Sequence, residues 1–563
     1  MSTLSLIPTH SHPHYTASMS PAELQAMRAH AQQNPEGFWL EQARRIHWHR
    51  KPTQGFRGSF EGDVSIKWYD DGHLNAAVCC IDRHLTARGD QVALISHREG
   101  RPGAEQITYA MLHERVCRLA NALTDLGVEK GERVAISLPM ISEAVVAMLA
   151  CARIGAVHVV LFGGFSAEGI AERLMDSGAV LVMTASEARR GNKTIPFKQT
   201  MDDALLKCGQ NCTVKSVLVV RTSDAAVPML PGRDYDYHDF VDGFEPDFVP
   251  VVMPAEAPLF MLYTSGSTGK PKAVVHATGG YLVWAAYTMG MVYAQKPGDV
   301  LWCTADVAWI TGHTSVVYGP LANGGTTMIS DSLPNAPHAG RWLDLIDDYK
   351  VTMLFTSPTA VRAMMADGDA VVQAHSLETL RLLGVAGEPI SSDVWMWYHD
   401  VIGRGKCPVA DTWWQTETAG VVLGPVPGAQ PLKPGSASTP LPGLDLALAH
   451  PQGRLQENSA AGCPCIAARH RDLQCKSADL GARRIFRIIP RHARRTQTLC
   501  VGATGRFACS LLSTRHLHPS CRRSTFQPSS FSHSSSPQGS SSSSCRVHYG
   551  QIGFRSWLVR ATP

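Results

Sequence analysis

From residue 106 onward, short apolar runs alternate with stretches of helical period, and that alternation limits the fold more than any other feature of the chain. Ile107–Leu126 carries apolar residues at helical spacing and closes on Gly127. Val134–Leu138 reads as a buried strand, Ser142–Ile154 as a helix, and Val157–Phe162 as a strand running into Gly163-Gly164. Ala167–Met175 is helical and Val180–Thr184 is again strand-like. The pattern resumes after 257, with strand-like Pro258–Tyr263, Val300–Thr304, Thr326–Ile329, Met353–Thr356 and Leu380–Gly384. Strands and helices alternating at this spacing predict an α/β fold of parallel sheets with helices on their faces. Residues 1–105 read as a cap, with helices over Pro21–Asn34 and Gly37–His47, a strand over Val64–Tyr69 and an apolar stretch at Ala76–His84. The remainder divides into 106–458, the α/β body, and 459–563, where the pattern stops.

Composition supports a soluble globular protein, with 44% hydrophobic and 18% charged residues among 563. No run of eighteen apolar residues is present, so no membrane span is expected. Met1–His14 has neither an apolar h-region nor an Arg-rich amphipathic helix, and a cytoplasmic protein is the expectation. The net charge of +4 conceals a division. Residues 1–460 hold 36 Lys and Arg against 46 Asp and Glu, whereas 461–563 hold 16 against 2.

The most informative segment is Tyr263-Thr-Ser-Gly-Ser-Thr-Gly-Lys-Pro-Lys272, directly behind the strand-like Pro258–Leu262. Gly266 and Gly269 let the backbone turn and approach a ligand closely. Thr264, Ser265, Ser267 and Thr268 supply hydroxyl donors beside exposed N–H groups, and Lys270 and Lys272 add positive charge. This set suits a polyphosphate. It is not a Walker A loop, which needs four residues between Gly and Gly-Lys where this one has two.

That loop resembles the signature of the adenylate-forming superfamily, and further segments resemble its acetyl-CoA synthetase family: VSIKWYDDGHLNAA (64–77), MLACARIGAVHVVLFGGFS (148–166), WCTADVAWITGH (302–313), GEP (387–389) and DTWWQTET (411–418). The resemblance runs from about residue 20 to 455. It implies a large N-terminal domain with stacked, mostly parallel sheets and the start of a third subdomain. It also implies an acetate–CoA ligase using ATP and CoA, with Mg2+ as metal, and no nucleic-acid or membrane partner. The implied ATP site comprises Thr264, Ser265, Gly266, Ser267, Thr268, Gly269 and Lys270, then Gly387, Glu388 and Pro389 at the adenine. Asp411, Thr412, Trp413, Trp414, Gln415 and Thr416 follow along the adenine and α-phosphate, and Glu417 holds the metal. Thr264, Lys270 and Glu417 carry the catalytic expectation. Trp414 walls an acyl pocket with Ile310, Thr311 and Ala386. Because a methylene is worth only about 1–3 kcal/mol of discrimination and Ala386 opens space where the family has Val, propionate stays an alternative to acetate. CoA is expected at Phe162, Gly163 and Gly164, with Arg190 and Lys193 at its phosphates and Thr311 and Asn335 beside it. Lys193 stands where the family has Arg and so lacks the bidentate fork. His313 reads as a satisfied core histidine. Ala273 and Ala336 also depart from the family, which has Gly and Trp there.

Beyond about 455–475 the match is lost. The family places an Asp that binds ribose hydroxyls, a hinge and a Lys that contacts the substrate carboxylate after this point, and no matching motif follows Glu457. A chain ending in this way is expected to be strongly impaired in forming acetyl-adenylate. A truncated or frameshifted product that only binds nucleotide is therefore the alternative to a working ligase. The dispersed Arg, Ser and Cys of 459–563 match a GC-rich coding strand read out of frame, and the Ser-rich stretch 529–544 favours disorder. An evolved basic segment binding nucleic acid would show Lys/Arg clusters instead.

Overall fold

The computed structural model describes residues 6–8, 15–59, 65–191, 193–264, 271–449, 455–456, 463–466, 497–501 and 507–511. Two seven-stranded sheets dominate it. The first runs, in spatial order, Asp234–Asp236, Ser216–Val220, Leu181–Ala185, Arg133–Ser137, Val157–Val160, Pro258–Thr264 and Lys272–Ala277. Every pair is parallel except the last, which is an antiparallel hairpin. The second runs Val409–Asp411, Leu382–Val385, Met353–Thr356, Val300–Cys303, Thr326–Ser330, Val92–His97 and Ala104–Thr108. It too is parallel except for its final pair. Leu181–Ala185 and Ser216–Val220 are buried at every position, which is why they read as apolar runs rather than alternating strands.

The predicted α/β alternation is present with shifts of one to a few residues at the ends. The helix expected over Ile107–Leu126 spans Tyr109–Asp125, because the Thr108 hydroxyl caps it by accepting from Met111 N. Gly37–His47 is not one helix. Pro35–Gln42 is helical from the Asn34 cap, and Ala43–Arg45 tightens into a 3-10 turn. Val92–His97 lies within the stretch read as cap, yet pairs parallel with Thr326–Ser330 in the second sheet. A further difference is Cys463–Ile466, where no strand period is legible but four residues pair with Leu446–Ala449. Pairing this short rests on backbone hydrogen bonds, which need no apolar repeat.

The cap is fastened by aromatic packing. Trp39 lies 5.8 Å from Trp68, 5.8 Å from Trp284 and 5.5 Å from Tyr287 between ring centroids. Its partners Trp284 and Tyr287 belong to helix Thr278–Val292, almost every residue of which is buried. A helix buried on all sides shows no amphipathic stripe. Asn75 adds a polar clamp, its amide donating to the carbonyls of Ala152, Arg153 and Val251 at 2.8–3.0 Å.

Candidate functional site

In an open parallel sheet, ligands collect where strands end at their carboxyl edges. Val157–Val160 and Pro258–Thr264 are parallel neighbours. Their carboxyl ends therefore lie side by side, with Phe162-Gly163-Gly164 following one and Thr264 closing the other. In the second sheet, Val300–Cys303, Leu382–Val385 and Val409–Asp411 deliver WCTADVAWITGH, Ala386–Pro389 and DTWWQTET to the corresponding edge. Thr264 pairs with Lys272 across the hairpin. Ser265, Gly266, Ser267, Thr268, Gly269 and Lys270 lie outside the described residues.

DTWWQTET leaves polar groups without protein partners. Asp411 is 9% exposed, and burial pushes its carboxyl up to about 7. No donor reaches it among the described residues. Glu417 Oε2 and Trp414 Nε1 are likewise buried without a hydrogen-bond partner among those residues. Burial holds Glu417 above the usual carboxylate range. Stranded buried polar atoms are costly, and two carboxylates held without donors on one segment are groups that a ligand or cation would satisfy. By contrast Thr412 is fully engaged, both N and Oγ1 donating to Val385 O, and Trp413 exchanges backbone bonds with Leu423. Those two residues anchor the segment.

Gly387 has φ +98°, a conformation that favours glycine. Glu388 does not turn its carboxylate toward an open site. It accepts from Thr359 N at 2.7 Å, from the Thr359 hydroxyl and from Arg362 Nη2 at 3.0 Å, tying the loop to helix Pro358–Asp367. Any ligand contact at 387–389 therefore falls to the main chain.

Ile310 and Ala386 are buried and Thr311 half-buried at the start of an irregular helix, Ile310–Gly312 followed by a π-helical turn His313–Tyr318. A Cβ at Gly312 would stand 2.3 Å from Asp306 O and 2.6 Å from Val307 Cα. Gly312→Ala is expected to destabilise the fold by about 1–3 kcal/mol, read as a lower urea midpoint, because backbone rather than a flexible side chain must move.

The groups expected at CoA fall together. Arg190 and Lys193 are exposed cross-strand partners in the hairpin Ala188–Arg190/Lys193–Ile195. Arg190 acts electrostatically on half-buried Asp306, and a Cβ on Gly191 would sit 3.5 Å from Leu333, two residues before Asn335. Phe162 lies 5.8 Å from Trp309, an aromatic left 49% exposed. Large aromatic faces are seldom left open without a use.

Three buried histidines back the site. His313 and His158 stack at 5.2 Å, and His313 packs 4.5 Å from Phe260. The His313 Nδ1–H donates to Trp309 O at 3.2 Å, while Nε2 has no partner among the described residues, so it is only half satisfied. Burial pulls it down to about 3, which keeps it neutral near pH 7. His276, pulled down to about 4, is also neutral. Its Nε2–H donates to Thr416 O at 2.9 Å and so holds the DTWWQTET segment against strand Lys272–Ala277. No local signal marks this contact, since the partners lie 140 residues apart. His276→Ala is expected to weaken ATP binding about fivefold, the worth of one hydrogen bond of about 1 kcal/mol. His276→Gln, which keeps an N–H donor, should recover part of it in equilibrium dialysis.

His113, Cys117 and Asp247 offer ligand atoms within 4.8 Å of one another. Arg153 Nη2 stands 3.2 Å from His113 Nε2, and its charge opposes a cation there. Among the described residues, no helix is long and apolar enough to cross a membrane.

Residues 81–470 match the family of AMP-binding enzymes, and residues 24–80 match the acetyl-coenzyme A synthetase N-terminus. The chain belongs to the AMP-binding enzymes. It is 49% identical over 429 residues to an acetyl-coenzyme A synthetase of Syntrophobacter fumaroxidans, covering 76% of this chain and 66% of that protein. It is 50% identical over 447 residues to one of Caulobacter vibrioides, covering 79% and 69%. It is 48% identical over 452 residues to one of Rhizobium rhizogenes, covering 80% and 69%. The chain thus spans about two thirds of the length of the curated relatives it matches. The AMP-binding match covers both sheets, and the N-terminal match coincides with the aromatic-fastened cap.

Proposed function

We propose that this chain is an acetate–CoA ligase that converts acetate, ATP and CoA to acetyl-CoA, AMP and pyrophosphate. An acetate oxygen attacks the α-phosphorus, pyrophosphate leaves, and the CoA thiolate then attacks the acyl carbon of acetyl-adenylate and expels AMP. The observation that carries this reading is the DTWWQTET segment beside a strand end, where Asp411 is buried with no donor, and Trp414 Nε1 and Glu417 Oε2 are buried without hydrogen-bond partners, among the described residues.

Transfer of this kind depends on positioning and charge neutralisation. Thr264, Ser265, Gly266, Ser267, Thr268, Gly269 and Lys270 are assigned to the phosphates, and the main chain of Gly387, Glu388 and Pro389 to the adenine. Asp411, Thr412, Trp413, Gln415 and Thr416 flank them. Ile310, Thr311, Ala386 and Trp414 bound the acyl group, and Phe162, Gly163, Gly164, Arg190, Lys193 and Asn335 serve CoA. Glu417 fits a Mg2+ ion, since a stranded carboxylate oxygen is what a hard cation takes. When bound, such an ion supplies charge neutralisation at the phosphates.

The test has two readouts on the purified chain: ATP binding by equilibrium dialysis, and acetate-dependent exchange of pyrophosphate into ATP. Binding with exchange establishes the working ligase and overturns the expectation of impaired adenylation. Binding without exchange assigns the chain to the alternative, a nucleotide binder that does not complete the reaction. Absence of both overturns the nucleotide site.

A further inference from the structure

A second cavity, of about 610 Å³, opens between the end of strand Val92–His97, helices Tyr109–Asp125 and Ser142–Ile154, and the short helix Tyr237–Val241. None of the residues assigned above to ATP, acetate or CoA lines it. Four arginines face it, Arg98, Arg101, Arg115 and Arg118, against the carboxylates of Glu105, Glu143 and Asp242.

The arginines are not equivalent. Arg115 is neutralised by Glu105 at 2.5 Å. Arg118 Nη1 donates to the backbone carbonyls of Asp242 and Phe244. Arg98 Nη2 and Arg101 Nη2 both converge on one neutral acceptor, Thr222 O, at 2.9 and 3.4 Å. Neither has a carboxylate within ion-pair distance among the described residues. Two guanidiniums sharing one carbonyl repel each other, and a half-buried setting strengthens that repulsion. Each guanidinium carries five N–H donors in a planar fork, and a single carbonyl engages few of them. An anion with several oxygens satisfies the spare donors and offsets the repulsion together, and forked recognition of phosphate is the chemistry to which guanidinium is best matched. On another wall, Glu143 pairs with His238 at 3.5 Å and accepts from the Ser142 hydroxyl at 3.3 Å. Its remaining lone pairs suit hydroxyl groups. The volume falls in the range of small-molecule sites and exceeds what a bare inorganic ion fills.

We propose that this cavity binds a phosphate monoester of a polyhydroxylated small molecule, the phosphate held by Arg98 and Arg101 and the hydroxyls directed to the Glu143 wall. The test is calorimetric titration of the full chain with glucose 6-phosphate, with glucose, inorganic phosphate and citrate as comparisons. Saturable binding of glucose 6-phosphate is expected, weaker for phosphate and absent for glucose. It should fall at least tenfold in the double variant Arg98→Gln, Arg101→Gln and persist in the presence of saturating ATP. The exposed side chain of Arg101 makes Arg101→Gln alone the fallback if the double variant does not fold, with a severalfold loss expected. The proposal is overturned if glucose 6-phosphate does not bind saturably, if ATP displaces it, if the arginine variants bind it as the parent does, or if citrate binds more tightly.

Discussion

Replacing Asp234 by alanine is expected to destabilise the folded chain by about 1–3 kcal/mol, the cost of taking one acceptor from the buried donors of Lys198, Arg233 and Leu230 while Asp202 still neutralises the cations. Asp234 has no exposed side-chain surface, and Lys198 opposite it is 1% exposed, with Nζ at 2.9 Å. Lys198 also reaches Asp202 at 2.6 Å, and Arg233 closes the network by pairing with both aspartates. The backbone N–H of Leu230 donates to Asp234 at 2.8 Å. Burial by itself would raise the Asp234 carboxyl, and the bonds from Arg233, Leu230 and Lys198 overcome it and hold the group below the usual range. A depressed carboxyl contributes stability that is present above its unfolded value and lost as pH falls through the folded one, so the parent should lose this contribution only in strong acid. The network joins helix Phe197–Cys208 to the edge strand Asp234–Asp236. Urea unfolding at neutral pH reads the loss. The double change Lys198→Met, Asp234→Leu should recover much of it, because replacing a buried pair by apolar groups removes the desolvation cost along with the attraction. Equal midpoints for parent and Asp234→Ala would sink the argument.

The second large effect has the opposite sign. Asp411→Asn is expected to stabilise the chain above neutral pH by up to about 4 kcal/mol, the free energy corresponding to a carboxyl moved from the ordinary aspartate range to about 7. The shift has one cause, burial without a compensating donor. A carboxyl raised in the folded state contributes stability that is full below its unfolded value and is lost as pH climbs through about 7. The parent should therefore weaken between acid and neutral pH, and the Asn variant should lack that slope. The gain in stability should come with weaker ATP binding, since a strained group kept at a site usually serves it. If the nucleotide donates to Asp411, binding near pH 7 releases a proton, seen as a buffer-dependent heat that vanishes in Asp411→Asn. A flat stability profile for the parent between pH 4 and 8 would falsify the assignment.

Local sequence was sufficient for many of the elements of the two sheets. Val180–Thr184 and Ser142–Ile154 were legible because a strand or helix buried on all faces must be apolar throughout. Gly163-Gly164, GEP and DTWWQTET were legible through the family resemblance, and the structure sets each of them at or just beyond the end of a strand. The exchange of Arg190 with Lys193 across a hairpin is likewise a short-range matter, with one turn between them.

Other features were decided only by the tertiary structure. That Val92–His97 joins the second sheet beside Thr326–Ser330 depends on a pairing across more than two hundred residues, and a fully buried strand carries no mark of its neighbour. Glu388 faces Thr359 and Arg362 rather than a ligand, and His276 holds Thr416, because folding closes long loops and brings unrelated stretches to one edge. The cavity with Arg98 and Arg101 has the same origin, its walls coming from five separate elements. Sequence determined what each segment is, since propensity, capping and burial pattern act within a few residues. Which segments meet was set by the common burial of both sheets around one core, and that is where the charges and the stranded polar atoms found their neighbours.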